Sequence, residues 1–272
     1  MTDTAREREQ ALDRVLADLG SVVVAFSGGV DSAYLSVRAH QVLGDRALAV
    51  TAVSASLAEA QRTQAEDVAR RFGLAHLFVE TGEVDDPRYA RNDASRCYWC
   101  KTELFRTLLP LARARGFRHL AYGLIQDDLS DFRPGHRAAA EAGVRSPLAE
   151  AGLGKDDVRR LSRERGLDTW DLPSSPCLSS RIPYGILVTR EALRRVERAE
   201  EGVRALGFRE FRVRHLGDTG RVEIAPGEML RLADPVLSEA VARAVRAAGY
   251  ASAAIDPEGY RRGRLNEALA RP

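Results

Sequence analysis

The sequence predicts an α/β fold, a doubly wound parallel sheet followed by a smaller C-terminal α+β domain, and three observations predict it. Val22, Val23, Val24, Ala25 and Phe26 form an unbroken apolar run, the pattern of a strand buried on both faces. Strand-like runs and helical stretches then alternate as far as Arg165, the order of a layered α/β structure. Beyond a stretch rich in Pro and Ser, from Leu172 to Gly185, the order changes to helix, strand, strand, helix, strand.

Ala11, Leu12, Val15, Leu16 and Leu19 recur at helical spacing, so Thr4 to Leu19 is predicted as an amphipathic helix that Gly20 ends. The buried strand follows, then a Gly-rich turn and a helix from about Ser32 to Leu43. Further strands are predicted at Ala47 to Val53, His76 to Glu80 and His119 to Gly123, with helices at Ala58 to Phe72, Lys101 to Arg115 and Lys155 to Arg165. These elements make a first domain of residues 1–172, joined by an interdomain segment, 173–185, to a small domain, 186–272. The small domain has predicted helices at Arg190 to Leu206 and Pro235 to Ala248, and strands at Glu210 to His215, Arg221 to Ile224 and Tyr250 to Ile255.

At 272 residues and 44% hydrophobic content, the chain can bury one large core or two smaller ones. Its 41 basic and 39 acidic side chains nearly cancel, so no overall field draws it to nucleic acid or to an anionic membrane. No apolar run approaches the roughly 18 to 20 residues that span a bilayer, and Met1 to Gln10 lacks the apolar stretch of a signal peptide. A cytoplasmic protein without a membrane partner is expected. Three cysteines are too few for a disulfide framework and are expected to act as ligands or nucleophiles.

The string Ser27-Gly28-Gly29-Val30-Asp31-Ser32 lies between the buried strand and a helix, where exposed N–H groups and the helix dipole favour phosphate. The adjacent glycines let the backbone approach an anion. Ser27 and Ser32 offer hydroxyls, and Asp31 can hold a Mg²⁺ that bridges phosphates or can orient the loop itself. It is not a Walker loop, and Gly154-Lys155, followed by Asp156, also fails that pattern. The string resembles the PP-loop signature. That resemblance implies an adenine nucleotide alpha hydrolase-like domain that splits ATP between the α and β phosphates, releasing pyrophosphate and adenylating a substrate.

In the segment Pro173 to Gly185, Cys177 stands among prolines that hold an irregular loop instead of a helix or strand. Arg181 is close enough in sequence to lower the thiol pKa or to bind a substrate phosphate. Together with the PP-loop, the string Cys177-Leu178-Ser179-Ser180-Arg181-Ile182-Pro183-Tyr184-Gly185 resembles the LarE family of ATP-dependent sulfur transferases. Gly123 to Gly135, with Asp127-Asp128 and Phe132-Arg133-Pro134-Gly135, and Gly259-Tyr260-Arg261-Arg262-Gly263-Arg264 extend the resemblance over nearly the whole chain. It implies an enzyme that builds the thiocarboxylates of the nickel-pincer nucleotide cofactor of lactate racemase. It also implies ATP and Mg²⁺ held at Ser27, Gly28, Gly29, Asp31, Ser32, Asp127 and Arg133, a small-molecule nucleotide substrate, and a homo-oligomer. In the sacrificial members, the cysteine at the position of Cys177 gives up its own sulfur and is left as dehydroalanine.

Cys97 and Cys100, separated by Tyr98 and Trp99, depart from that simple picture. On a loop before a helix, they have the spacing of two ligands to one metal or cluster. Three cysteines make an incomplete zinc site but suit a [4Fe-4S] cluster with one iron free of protein. The resemblance implies such a cluster in some members, where the free iron holds exogenous sulfide. The favoured reading is therefore a [4Fe-4S] cluster on Cys97, Cys100 and Cys177, fed by a sulfide source. Sacrifice of Cys177, and ordinary thiols at Cys97 and Cys100, stay open.

A carboxylated pyridinium mononucleotide calls for fixed cations, and Arg181, Arg212, Arg214, Arg261 and Arg264 are available. Arg212 and Arg214 alternate along one predicted strand, share a face, and form a candidate phosphate clamp. A solvated face is the competing reading for any one arginine; Glu200 and Glu223 could meet a metal or the substrate, but as most such glutamates are surface residues, they are expected at the surface. Thiolation of tRNA is the alternative sulfur chemistry, but neither a large basic surface nor a nucleic-acid module is evident. An ammonia-fed synthetase would leave the cysteines without a purpose. A nucleotide-binding regulator or iron–sulfur carrier would show no turnover.

Overall fold

A computed structural model of the chain describes residues 4–130, 134–173, 176–261 and 263–265. In chain order the regular elements are α1 (Thr4–Leu19), β1 (Val22–Ala25), α2 (Val30–Leu43), β2 (Ala47–Val53), α3 (Glu59–Arg71) and β3 (His76–Glu80). Then come α4 (Pro87–Ala90), α5 (Arg96–Ala114), β4 (His119–Tyr122), α6 (Pro134–Glu141), α7 (Pro147–Glu150) and α8 (Lys155–Glu164). The last are α9 (Arg190–Ala205), β5 (Phe211–Leu216), β6 (Thr219–Ile224), α10 (Pro226–Met229), α11 (Pro235–Ala247) and β7 (Ser252–Ile255). Two compact units result, Met1–Glu83 with Cys97–Ser175, and Val84–Arg96 with Pro176–Pro272.

In the first unit the strand order is β3-β2-β1-β4, and every pairing is parallel. Successive side chains of β1 point to opposite faces. Val22 and Val24 pack with Leu12 and Leu16 of α1, Tyr34 and Leu35 of α2, Leu148 of α7, and Val158 and Leu161 of α8. Val23 joins Leu48 and Val50 of β2 against Phe105, Leu108 and Ala112 of α5 and Ala138 and Ala139 of α6. Both faces are covered by helices, as the unbroken apolar run requires. The chain leaves β1 toward β2 on one side and returns as β4 on the other. The carboxyl ends of β1 and β4 therefore flank the switch point where doubly wound sheets bind ligands.

In the second unit β5 and β6 are antiparallel and β6 and β7 parallel. Phe211, Val213, Val222 and Ile224 turn one face toward Ala199 and Val203 of α9 and Val241 and Val245 of α11. Alternation places Arg212, Arg214, Arg221 and Glu223 on the other face.

One boundary differs from the sequence reading in a way that matters for chemistry. Helix α5 begins at Arg96, not Lys101, so Cys97 and Cys100 lie on its first turn and not on a loop before it. The Asp93 carboxylate starts the turn by accepting from the Ser95 N–H (2.8 Å) and hydroxyl (2.5 Å). Apolar spacing carries no record of such a local bond. No described helix is long and apolar enough to cross a membrane.

Candidate active site

The loop Phe26–Gly29 leaves the carboxyl end of β1 pinned to β2 by the Phe26 N–H, which donates to the Val50 carbonyl at 2.8 Å. Gly28 has φ 74°, and a Cβ there would lie 3.0 Å from both the Ala65 nitrogen and the Gln61 carbonyl oxygen of α3. Only glycine meets both demands. Gly123, just past β4, approaches the first turn of α2 so closely that a Cβ would stand 2.8 Å from the Ser32 nitrogen. The two glycines thus fix the loop from both sides of the switch point.

Within the loop, the Ser27 and Ser32 hydroxyls are 3.0 Å apart, and Ser32 Oγ donates to the Gly29 carbonyl at 3.1 Å. Asp31, in the first turn of α2, faces Lys155 of α8, whose Nζ lies 2.9 and 2.8 Å from the two carboxylate oxygens. Asp127 accepts from the Lys155 backbone N–H at 2.6 Å, which ties its short helical turn to the start of α8. Hydroxyls, helix-start amides, a carboxylate and an ammonium therefore converge at the switch point, a set suited to a metal-bound polyphosphate. Arg133 lies outside the described residues.

Lys155 is the residue that sequence reasoning passes over. As a Walker pattern Gly154-Lys155 fails, although a Gly-Lys pair opening a helix is itself a signal. Spacing along the chain cannot show that α8 brings this lysine to a loop more than a hundred residues away.

None of the three cysteines is in a disulfide; Cys97 is exposed, and Cys100 and Cys177 are half-buried. Cys97 and Cys100 sit one turn apart near the amino end of α5, where side chains three positions apart share a face. Tyr98, between them, donates to Glu141 of α6 at 2.6 Å, and Arg137 lies 4.3 Å over its ring. Among the described residues no group of three or more His, Cys, Asp or Glu side chains is arranged to hold a metal ion.

In the second unit, Cys177 immediately precedes a single 3₁₀ turn, Leu178–Arg181. Arg181 is buried. Its Nε and one Nη grip the two oxygens of Glu200 at 2.8 and 2.9 Å, and the other Nη donates to Pro176 O, Cys177 O and Ser180 Oγ. Burial disfavours the Glu200 carboxylate, yet the Arg181 charge and bond outweigh it and hold Glu200 below the usual carboxylate range. Arg214 is bound by Glu223 at 2.8 Å and donates to Ser180 O at 2.8 Å. Arg212 lies 4.8 Å over the Tyr260 ring, and burial, followed by the neighbouring Arg181 charge, pulls its guanidinium below its ordinary value. Arg264 reaches Asp256 at 3.0 Å and Glu258 at 3.2 Å. Arg261 is exposed.

Two expectations are corrected here. Glu200 and Glu223 are buried (4% and 1% exposed), not surface residues, because each neutralises a buried arginine. Arg181, Arg212 and Arg214 are likewise buried, not on a solvated face. A trace of this is present in the sequence, since Glu200 falls on the apolar stripe of α9 with Val196, Ala199 and Val203.

The parallel sheet and the loop at its switch point are those of the PP-loop class of proteins. No family model matches the chain. Over 260 residues it is 42% identical to slr1717, an uncharacterized protein of Synechocystis sp., covering 96% of this chain and 97% of that one. Over 270 residues it is 34% identical to the pyridinium-3,5-bisthiocarboxylic acid mononucleotide synthase of Lactiplantibacillus plantarum, covering 98% and 97% of the two chains. Over 184 residues it is 29% identical to one of the subunits of the glutamine-hydrolyzing GMP synthase of Archaeoglobus fulgidus, covering 61% and 55%. The chain belongs to the LarE family, that of the pyridinium-3,5-bisthiocarboxylic acid mononucleotide synthase.

Proposed function

We propose that the protein is an ATP-dependent sulfur transferase that adenylates a carboxylate of a pyridinium mononucleotide and replaces its oxygen with sulfur, in nickel-pincer cofactor biosynthesis. The observation that carries this reading is the loop at the switch point, with Asp31 and Lys155 paired across it, in a chain of this family. ATP binds with its phosphates on the Ser27–Ser32 loop, and Asp31 would hold Mg²⁺. Magnesium supplies charge neutralisation of the phosphates when bound. Lys155, the cation beside Asp31, meets the charge of the departing pyrophosphate, and the loop amides stabilise it. The acceptor carboxylate attacks the α-phosphorus, giving an acyl adenylate and pyrophosphate. A sulfur nucleophile then adds to the activated carbonyl, and AMP leaves.

Arg212, Arg214 and Arg264 hold the phosphate and carboxylates of the acceptor. Arg212 and Arg214 share one face of β5, and their forked donors suit carboxylate and phosphate. Arg181, occupied by Glu200 and the Cys177 turn, keeps that turn in place.

Three cysteines outside any disulfide, two of them one helical turn apart, support a [4Fe-4S] cluster as the sulfur carrier. Cys97, Cys100 and Cys177 would hold it, and the group supplies an iron to carry sulfide. Anaerobically purified protein is expected to contain about four irons and four acid-labile sulfides per chain, lost in each of Cys97→Ala, Cys100→Ala and Cys177→Ala. Iron-free fresh protein that thiolates once, with Cys177 lighter by one sulfur afterwards, would overturn the cluster and leave sacrifice of Cys177. The function itself is tested by pyrophosphate release with ATP and the dicarboxylated pyridinium mononucleotide. Release that depends on the acceptor supports it. No release, or release driven only by tRNA, overturns it.

A further inference from the structure

We infer that Asn92 and Arg96 are positioning residues for Cys177, an inference that rests on the sulfur-transfer reading above. Asn92 is the one non-glycine among the described residues with a positive φ, 58°, and its side chain is fully buried. Asparagine tolerates this left-handed conformation better than most residues, because its short amide can bond locally. Here the amide reaches across the chain instead. Its nitrogen faces the carbonyls of Ile182, Pro183 and Ile186 at 3.2, 2.8 and 2.8 Å, and its backbone carbonyl accepts from the Gly185 N–H at 3.1 Å.

The amide oxygen accepts from Arg96 Nη1 at 2.6 Å, and the same Nη1 donates to the Ser179 carbonyl at 2.9 Å. Ser179 Oγ is held in turn by the Tyr89 hydroxyl at 2.5 Å. Tyr89, Asn92, Arg96 and Ser179 are all buried. Apart from the Arg96–Asn92 bond, each of these ends on the 3₁₀ turn that follows Cys177 or on the irregular stretch just beyond it. That stretch has no sheet ladder to satisfy its carbonyls, so the Asn92 amide sets its path. Cys177 opens the turn, and its own carbonyl accepts from Ser180 N at 2.9 Å. The backbone turn that carries the thiol is therefore held through Ser179, Arg96 and Asn92, whether Cys177 serves as ligand or as donor. A fixed nucleophile or carrier matters because a displacement of about 1 Å can cost on the order of a hundredfold in rate.

The test is Asn92→Asp in the full chain, which keeps the oxygen toward Arg96 and replaces the N–H donors with a second oxygen facing three carbonyls. Circular dichroism and the thermal midpoint establish that the variant is folded; should it fail to fold, Arg96→Lys and Tyr89→Phe carry the same test. Single-turnover pyrophosphate release is measured beside sulfur transferred to the pyridinium acceptor. Peptide-resolved alkylation of Cys177, referenced to exposed Cys97 in chelator-treated protein, gives a readout independent of turnover. Pyrophosphate release is expected to stay within about twofold of wild type while sulfur transferred per pyrophosphate falls on the order of tenfold or more. The Cys177-to-Cys97 alkylation ratio is expected to rise severalfold. A folded variant that transfers as much sulfur per pyrophosphate as wild type overturns the inference. Wild-type protein that releases no pyrophosphate overturns the sulfur-transfer reading instead, so the two failures are distinguishable.

Discussion

Lys155 and Glu200 illustrate how much a single side chain's meaning depends on what faces it. Lys155 opens α8, yet its ammonium sits within 3 Å of both oxygens of Asp31. Replacing it with Met is expected to slow single-turnover pyrophosphate release about 100-fold, the usual cost of losing a preorganised group that meets developing charge. An unchanged rate would leave Lys155 as a counter-ion of Asp31 and nothing more. Among the described residues, Glu200 is the carboxylate bonded to buried Arg181. Glu200→Gln leaves that guanidinium buried without an anion and is expected to cost about 3–5 kcal/mol in chemical denaturation. Because Glu200 titrates below its ordinary value in the folded protein, its contribution is fully present above the unfolded value of about 4.3 and is lost as pH falls through the folded one.

At the scale of elements, the nucleotide loop depends on how closely its neighbours approach. Gly28→Ala forces a side chain into a left-handed conformation and against the backbone of α3. It is expected to lower stability by about 1–3 kcal/mol, read as a drop in thermal midpoint, and to weaken ATP binding measured by calorimetry. Helix α9 starts on Thr189, whose hydroxyl accepts from the Ala192 N–H at 3.1 Å. Thr189→Ala is expected to cost about 1 kcal/mol with pyrophosphate release unchanged, since this cap touches no part of the proposed chemistry. Where an element is set by apolar periodicity, as in α1, β2 and β3, its limits can be read from the sequence. Where a polar side chain starts it, as Asp93 does for α5, they cannot.

The whole molecule carries a pH signature. His76, His119 and His215 all titrate below their ordinary value, in each case first because burial disfavours the imidazolium. The unfolded chain therefore takes up protons at a pH where the folded chain does not. Their contribution to stability is whole above about 6.5 and declines as pH falls from there toward the depressed folded values. The thermal midpoint is accordingly expected to drop between pH 7.5 and 5.5, and His76→Phe, by removing one of the three, is expected to flatten part of that drop.

By itself, the sequence determined the layered α/β class, the position of the Gly-rich loop between β1 and α2, and the family. Each of these is written in short-range signals: an apolar run, two adjacent glycines and a pair of hydroxyls at fixed spacing. The tertiary structure decided which charges meet. It brought Lys155 to Asp31, drew Val84–Arg96 into the second unit, and buried Glu200 and Glu223 against arginines. The physical reason is that a buried charge or amide tolerates low dielectric only beside its partner, and partners far apart in sequence are chosen by packing, which no local pattern records.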